Sequence, residues 1–228
     1  MFFLIIILTM LLSMYASWKV SSNYRKYSQV QASSGMNGAE IAQRILDLNN
    51  IRDVTIHAAP GQLVDHYDPS NRRLVLSEAN YHGTSVAALG VSAHECGHAI
   101  QHQQLYAPLQ WRMAAVGITT MAGTIIPIIG FAGMIFAPKL AVPVLAVAFG
   151  IVMLFQLVTL PVEFDATARA KKILLATGAI LPGPEYDAMS KVLSAAALTY
   201  VAAFLSALAQ FLHYAMIMLS QGRRDDER

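Results

Sequence analysis

The chain has 228 residues and a net charge of +2, with 55% hydrophobic and only 13% charged residues. So small a charge gives no reason to expect nucleic acid as a partner, and a mean hydropathy of +0.46 points away from an ordinary soluble domain. The single cysteine, Cys96, excludes an internal disulfide, and no zinc-finger spacing is present.

Residues 2–18 form an uncharged apolar run just long enough to span a bilayer. A cleaved signal peptide would carry basic residues before its apolar core, whereas Lys19, Arg25 and Lys26 follow this one. Residues 1–18 are therefore read as a retained first transmembrane helix.

Residues 19–110 make the one sizeable polar segment. Asn37-Gly38-Ala39-Glu40 opens like a capping box, Ile41, Ile45 and Leu48 follow at helical spacing, and Asn49-Asn50 is a stop. Short strand-like runs come next at Val54-Thr55-Ile56, Leu63-Val64 and Arg73-Leu74-Val75-Leu76. Pro60-Gly61 and Asp68-Pro69-Ser70-Asn71 are the turn signals between them. An extended substrate can pair with an open strand edge, and residues 73–77, with Leu74, Val75 and Leu76 at their centre, are the candidate edge.

This segment ends in the pattern on which the chemistry depends, His94-Glu95-Cys96-Gly97-His98. Residues four apart share a helix face, so two imidazoles at this spacing can hold one Zn²⁺ through nitrogens about 2.0–2.1 Å away. Glu95 is placed to take the proton of a water that zinc has made acidic. Thr84 or Ser85 is the expected N-cap of this helix. Cys96, lying between the ligands in sequence, is read as a small packing residue that faces away from them.

Three apolar segments follow, at residues 113–137, 140–161 and 192–219, with Pro138-Lys139 as a tight turn between the first two. Gly117, Gly123, Gly130 and Gly133 suit close helix contacts, and Pro127 is a potential kink. Gln210, His213 and Tyr214 interrupt the last segment. The expected architecture is a mainly α membrane protein with about four transmembrane helices and a small α+β, zincin-like segment between the first and second. Its divisions are helix 1 (1–18), catalytic segment (19–110), helix 2 (111–137), helix 3 (140–162), polar segment (163–190), helix 4 (191–220) and charged tail (221–228).

Four crossings put residues 19–110 and 163–190 on one side. That side carries Lys19, Arg25, Lys26, Arg112, Arg169, Lys171, Lys172 and Lys191 near the spans, against Lys139, Arg223, Arg224 and Arg228 opposite. The positive-inside rule then makes the active site cytoplasmic-facing.

A catalytic zinc site usually has three protein ligands, and the third must come from the same side. His102 lies about 12 Å along the helix from His94, so it cannot meet the same ion. A metzincin pattern would need Gly at 101 and His at 104, where this chain has Gln101 and Gln104. Glu163 and Asp165 remain as alternatives, each a carboxylate that needs a partner at the end of an apolar span. His66, Tyr67, Tyr81, His82, His213 and Tyr214 are further polar residues to which no role is assigned.

Asp65-His66-Tyr67-Asp68-Pro69, Leu74-Val75-Leu76-Ser77, the metal-site helix ending Gly97-His98-Ala99-Ile100-Gln101, and Pro161-Val162-Glu163-Phe164-Asp165-Ala166 resemble the YugP-type membrane zinc metallopeptidases. The resemblance extends over nearly the whole chain and is most specific at residues 65–101 and 161–170. It implies a membrane-embedded zinc peptidase acting on protein or peptide substrates. By analogy with other HExxH peptidases, it also implies Glu163 as third ligand, with support from Asp165, Thr167 or elsewhere. The expected function is hydrolysis of peptide bonds in membrane or membrane-proximal proteins, with one Zn²⁺ per chain bound by His94, His98 and Glu163, and Glu95 as general base. A non-proteolytic zinc hydrolase and a metal-binding membrane scaffold are the alternatives, and an intact Glu95 speaks against the scaffold.

Overall fold

A computed structural model describes residues 2–226. Met1, Glu227 and Arg228, and with them the extremes of the expected first span and charged tail, lie outside the described residues. Among the described residues the protein is mainly helical, with one small sheet and four helical segments long and apolar enough to cross a membrane: Leu4–Tyr27, Ala107–Phe136, Pro138–Ala176 and Pro184–Gln221. Two compact units are distinguished. One comprises Met1–Tyr15, Trp111–Leu160 and Thr199–Arg228, and the other Ala16–Gln110 and Pro161–Leu198.

The second unit begins within helix α1 (Phe2–Tyr27), whose last turn carries Arg25 and Lys26 against the negative end of the helix dipole. Helix α2 (Gly38–Leu48) opens with the expected capping box: Asn37 Oδ1 accepts from Glu40 N, and Glu40 Oε2 accepts from Asn37 N, both at 2.9 Å. Its inner face buries Ile41, Ala42, Ile45 and Leu46 completely. Asn49 caps the end, and Asn50 takes the left-handed conformation (φ 56°) that asparagine tolerates.

Strands β1 (Thr55–Ala59), β2 (His66–Asp68) and β3 (Arg73–Ser77) form a sheet in the order β1-β3-β2, with β1 parallel and β2 antiparallel to β3. This corrects two expectations. Leu63-Val64 is not a strand, because Gly61 (φ 112°) and Leu63 (φ 57°) curl the chain out of the extended region, and the second strand forms two residues later. Residues 73–77 are not an edge either: β3 is hydrogen-bonded on both sides, and Leu74 and Leu76 are fully buried. The Asp68 turn is as expected. Its carboxylate accepts from Ser70 N, Asn71 N and Asn71 Nδ2, and these bonds, chiefly the one from the Asn71 side chain, hold its pKa at about 2.

A single turn, α3 (Glu78–Tyr81), leads to helix α4 (Val86–Gln103). Ser85 is its N-cap, with Oγ accepting from Ala88 N at 3.1 Å. Most of α4 is buried, including Val86–Gly90 and Glu95–Gln101. Such a helix is held by packing around its whole circumference rather than along one stripe.

Helix α5 (Ala107–Ile128) contains Pro127 and passes into a π-helical turn (Ile129–Gly133) and the short α6 (Met134–Phe136). The chain breaks at Ala137 (φ −147°, ψ 59°), and Pro138 occupies the first position of α7 (Pro138–Ala176), where its missing N–H is harmless. Of the four glycines expected at close contacts, only Gly133 has one; a Cβ on Gly117, Gly123 or Gly130 would meet nothing among the described residues. In the first unit, Leu145, Ala146 and Tyr214 form a small buried cluster, and Phe149 stacks on Tyr214 at 5.6 Å.

Helix α7 does not end near Pro161 but continues for 15 residues beyond it to Ala176. The buried stripe Val162, Ala166, Ala170 and Leu174 explains why, since tertiary packing outweighs one lost backbone bond. Helix α8 (Pro184–Asp226) likewise begins earlier than residue 191, because Ala188, Met189, Val192 and Leu193 pack into the core of the second unit.

Candidate metal centre

Helix α4 presents His94 and His98 one turn apart, with ring centroids 4.8 Å from each other. Glu163, only 1% exposed on α7, points its carboxylate between them. Its Oε2 lies 3.2 Å from His94 Nε2 and 3.6 Å from His98 Nε2, and the three ligand atoms fall within 4.8 Å of one another. A tetrahedral ion held at about 2.1 Å keeps its donors roughly 3.4 Å apart, so this donor set fits Zn²⁺. Glu95, 8% exposed, adds a second carboxylate and has no hydrogen-bond partner among the described residues. Burial disfavours a charged His98, but the hydrogen bond with Glu163 and the negative charges of Glu95 and Glu163 outweigh it and raise that imidazole's pKa. A buried cluster of two imidazoles and one carboxylate, under the added negative charge of Glu95, therefore attracts a cation.

The outer nitrogens of the two histidines are occupied as well. His94 Nδ1 lies 3.2 Å from Thr167 Oγ1, and His98 Nδ1 lies 3.0 Å from Gln101 Oε1. Such outer partners aim each Nε2 at the metal position. Asp165 is not with the donors. Its Oδ2 accepts from Gln101 Nε2 at 2.7 Å and from Arg169 Nε at 2.5 Å. The reason is that α7 remains helical there, which turns Asp165 roughly 200° from Glu163.

Several other sequence candidates have partners of their own. His102 Nδ1 pairs with Tyr67 Oη at 2.9 Å, and His82 packs edge-on to Tyr81. Cys96 turns to the opposite side of α4, its Sγ 3.7 Å from Ala42 O, and burial pushes its thiol pKa well up. Leu74, Val75 and Leu76 belong to the central strand.

Two residues were not assigned roles from sequence. In the sequence Gln101 stands out only as a mismatch to the metzincin pattern. At Gly97 the two helices α4 and α7 approach closely: a Cβ there would sit 2.8 Å from Ala166 O and 3.1 Å from Ala166 Cα. The available signal was a glycine inside a strongly helical motif, which costs about 1 kcal/mol relative to alanine unless packing requires it. Gly97→Ala should accordingly lower stability by about 1–3 kcal/mol through overpacking, the reverse of alanine's usual effect in a helix. Thermal unfolding in detergent measures this, and an unchanged or higher midpoint contradicts the close approach.

Comparison with known proteins agrees with this geometry. A family model described as "Putative neutral zinc metallopeptidase" matches residues 2–219. The protein of Bacillus subtilis (strain 168) named "Putative membrane protease YugP" is 45% identical over 209 residues, covering 92% of each chain. No solved structure gives a significant match.

Proposed function

Because the chain belongs to the neutral zinc metallopeptidase family, we propose that it is an integral-membrane protease cutting membrane or membrane-proximal proteins. His94, His98 and Glu163 would hold one Zn²⁺ per chain. The observation that supports this reading is the convergence of two imidazoles and one buried carboxylate, with Glu95 next to His94 on the same helix. When bound, zinc polarises the scissile carbonyl and makes water acidic enough to ionise near neutral pH. Glu95 accepts the water's proton and returns it to the leaving amine. Gln101 and Thr167 keep the two imidazoles aimed, and Gly97 lets Glu163 reach them.

With β3 in the centre, the sheet's open edges belong to β1 and β2. The Tyr67–His102 hydrogen bond ties β2 to the metal-site helix, so we place substrate pairing on β2. The test of the function is cleavage of casein or a purified membrane protein by the detergent-solubilised enzyme. Cleavage abolished by a zinc chelator and restored by Zn²⁺ is expected. Chelator-sensitive release of fatty acid from lipid, with polypeptides untouched, would replace the protease with a lipid hydrolase.

The excess of basic residues flanking the catalytic segment supports a cytoplasmic-facing site. Cysteines introduced at Ser33 or Ser70 should resist an impermeant maleimide in intact cells and react after permeabilisation. Cys96 is fully buried and will not add to the signal. Labelling in intact cells reverses the orientation.

A further inference from the structure

Gln101 is fully buried, and both ends of its amide are engaged. Nε2 donates to Val162 O at 2.8 Å and to Asp165 Oδ2 at 2.7 Å. Oε1 lies 3.0 Å from His98 Nδ1. An amide nitrogen only donates and an amide oxygen only accepts. The two acceptors on one side therefore fix the nitrogen there, because a flipped amide would set its oxygen against a carbonyl and a carboxylate. Oε1 must face His98, so a neutral His98 carries its hydrogen on Nδ1 and leaves its Nε2 lone pair, beside Glu163, free for a cation. Arg169 Nε, 2.5 Å from the same Asp165 oxygen, holds that carboxylate against the amide.

His94 has no comparable constraint. Its partner, the Thr167 hydroxyl at 3.2 Å, can either donate or accept, so it fits both neutral forms of the ring. The protein decides the tautomer at His98, through a residue that is also bonded to the backbone carbonyl of Val162, immediately before Glu163 in α7.

We propose that Gln101 is a positioning residue for zinc. It sets the tautomer of His98 and, with the same amide, fixes the height of α7 at which Glu163 meets the two histidines. Asp165 serves the site through this amide rather than as a ligand. The inference rests on the reading of His98 and Glu163 as zinc ligands.

The test is a polarity exchange between residues 101 and 165. Gln101→Glu keeps an acceptor for His98 but offers no proton to Val162 O and sets two carboxylates against each other. Zinc affinity of the full-length chain in detergent, measured by chelator competition, should fall about 10–100-fold. Adding Asp165→Asn supplies an N–H toward the new carboxylate, and the double variant should recover most of that loss. Circular dichroism checks that both variants are folded. A folded Gln101→Glu variant with wild-type affinity, or a double variant no tighter than the single one, overturns the proposal. Histidine-labelled wild-type protein without zinc gives an answer that needs no substitution. At a pH where the ring is neutral, its nitrogen and carbon shifts should report the Nδ1–H form of His98, and the Nε2–H form overturns the proposal. A wild-type chain that binds no zinc would contradict the peptidase reading instead, while the histidine spectrum would still decide the role of Gln101.

Discussion

Glu95→Gln should leave zinc content and fold unchanged while turnover falls about 10²–10⁴-fold, the usual contribution of a positioned general base. The substitution is nearly isosteric, so α4 has no packing reason to move. Glu95 has no hydrogen-bond partner among the described residues that the amide would lose. What it loses is the capacity to accept a proton from water. Zinc per chain and the rate of casein cleavage, measured on one preparation, separate binding from chemistry. A rate near wild type would remove Glu95 from the mechanism, and loss of zinc would make it a ligand.

Glu163→Ala has the second large effect. Its carboxylate supplies the donor that α4 cannot provide, 3.2 and 3.6 Å from the two histidine nitrogens. Without it, two imidazoles alone face the ion, so zinc occupancy and activity should both fall below detection in a chelator-washed preparation. Asp165→Ala should be milder, weakening zinc by about 10–100-fold, since Asp165 reaches the site only through Gln101. Full zinc in Glu163→Ala, with loss in Asp165→Ala, reverses the assignment.

What could be read from the sequence was local. The Asn37–Glu40 capping box, the Ser85 cap and the paired histidines each depend on residues three or four apart, so their patterns are complete within one turn. Four apolar segments long enough to span a bilayer were likewise legible from run length. Strand order was not: that Leu74–Leu76 lie in the middle depends on pairing with two separate segments. The second strand was misplaced because Leu63 adopts a left-handed conformation that no local rule assigns to leucine. Pro161 read as the end of a helix, yet the buried stripe beyond it carries α7 onward. Gly97 and Gln101 gain their roles only once α7 lies against α4, and their partners Ala166 and Asp165 are more than sixty residues away in sequence. The metal donors on α4 were therefore visible, and the devices that align them with Glu163 were not.

The central claim is a zinc ion held by two histidines and one glutamate, with no sulfur. X-ray absorption at the zinc edge of the purified wild-type protein tests it most directly. The expected result is a first shell of nitrogen and oxygen at about 2.0–2.2 Å with the multiple scattering of two imidazoles. A sulfur shell at about 2.3 Å would bring Cys96 into the site and contradict the account, as would a shell with a single imidazole.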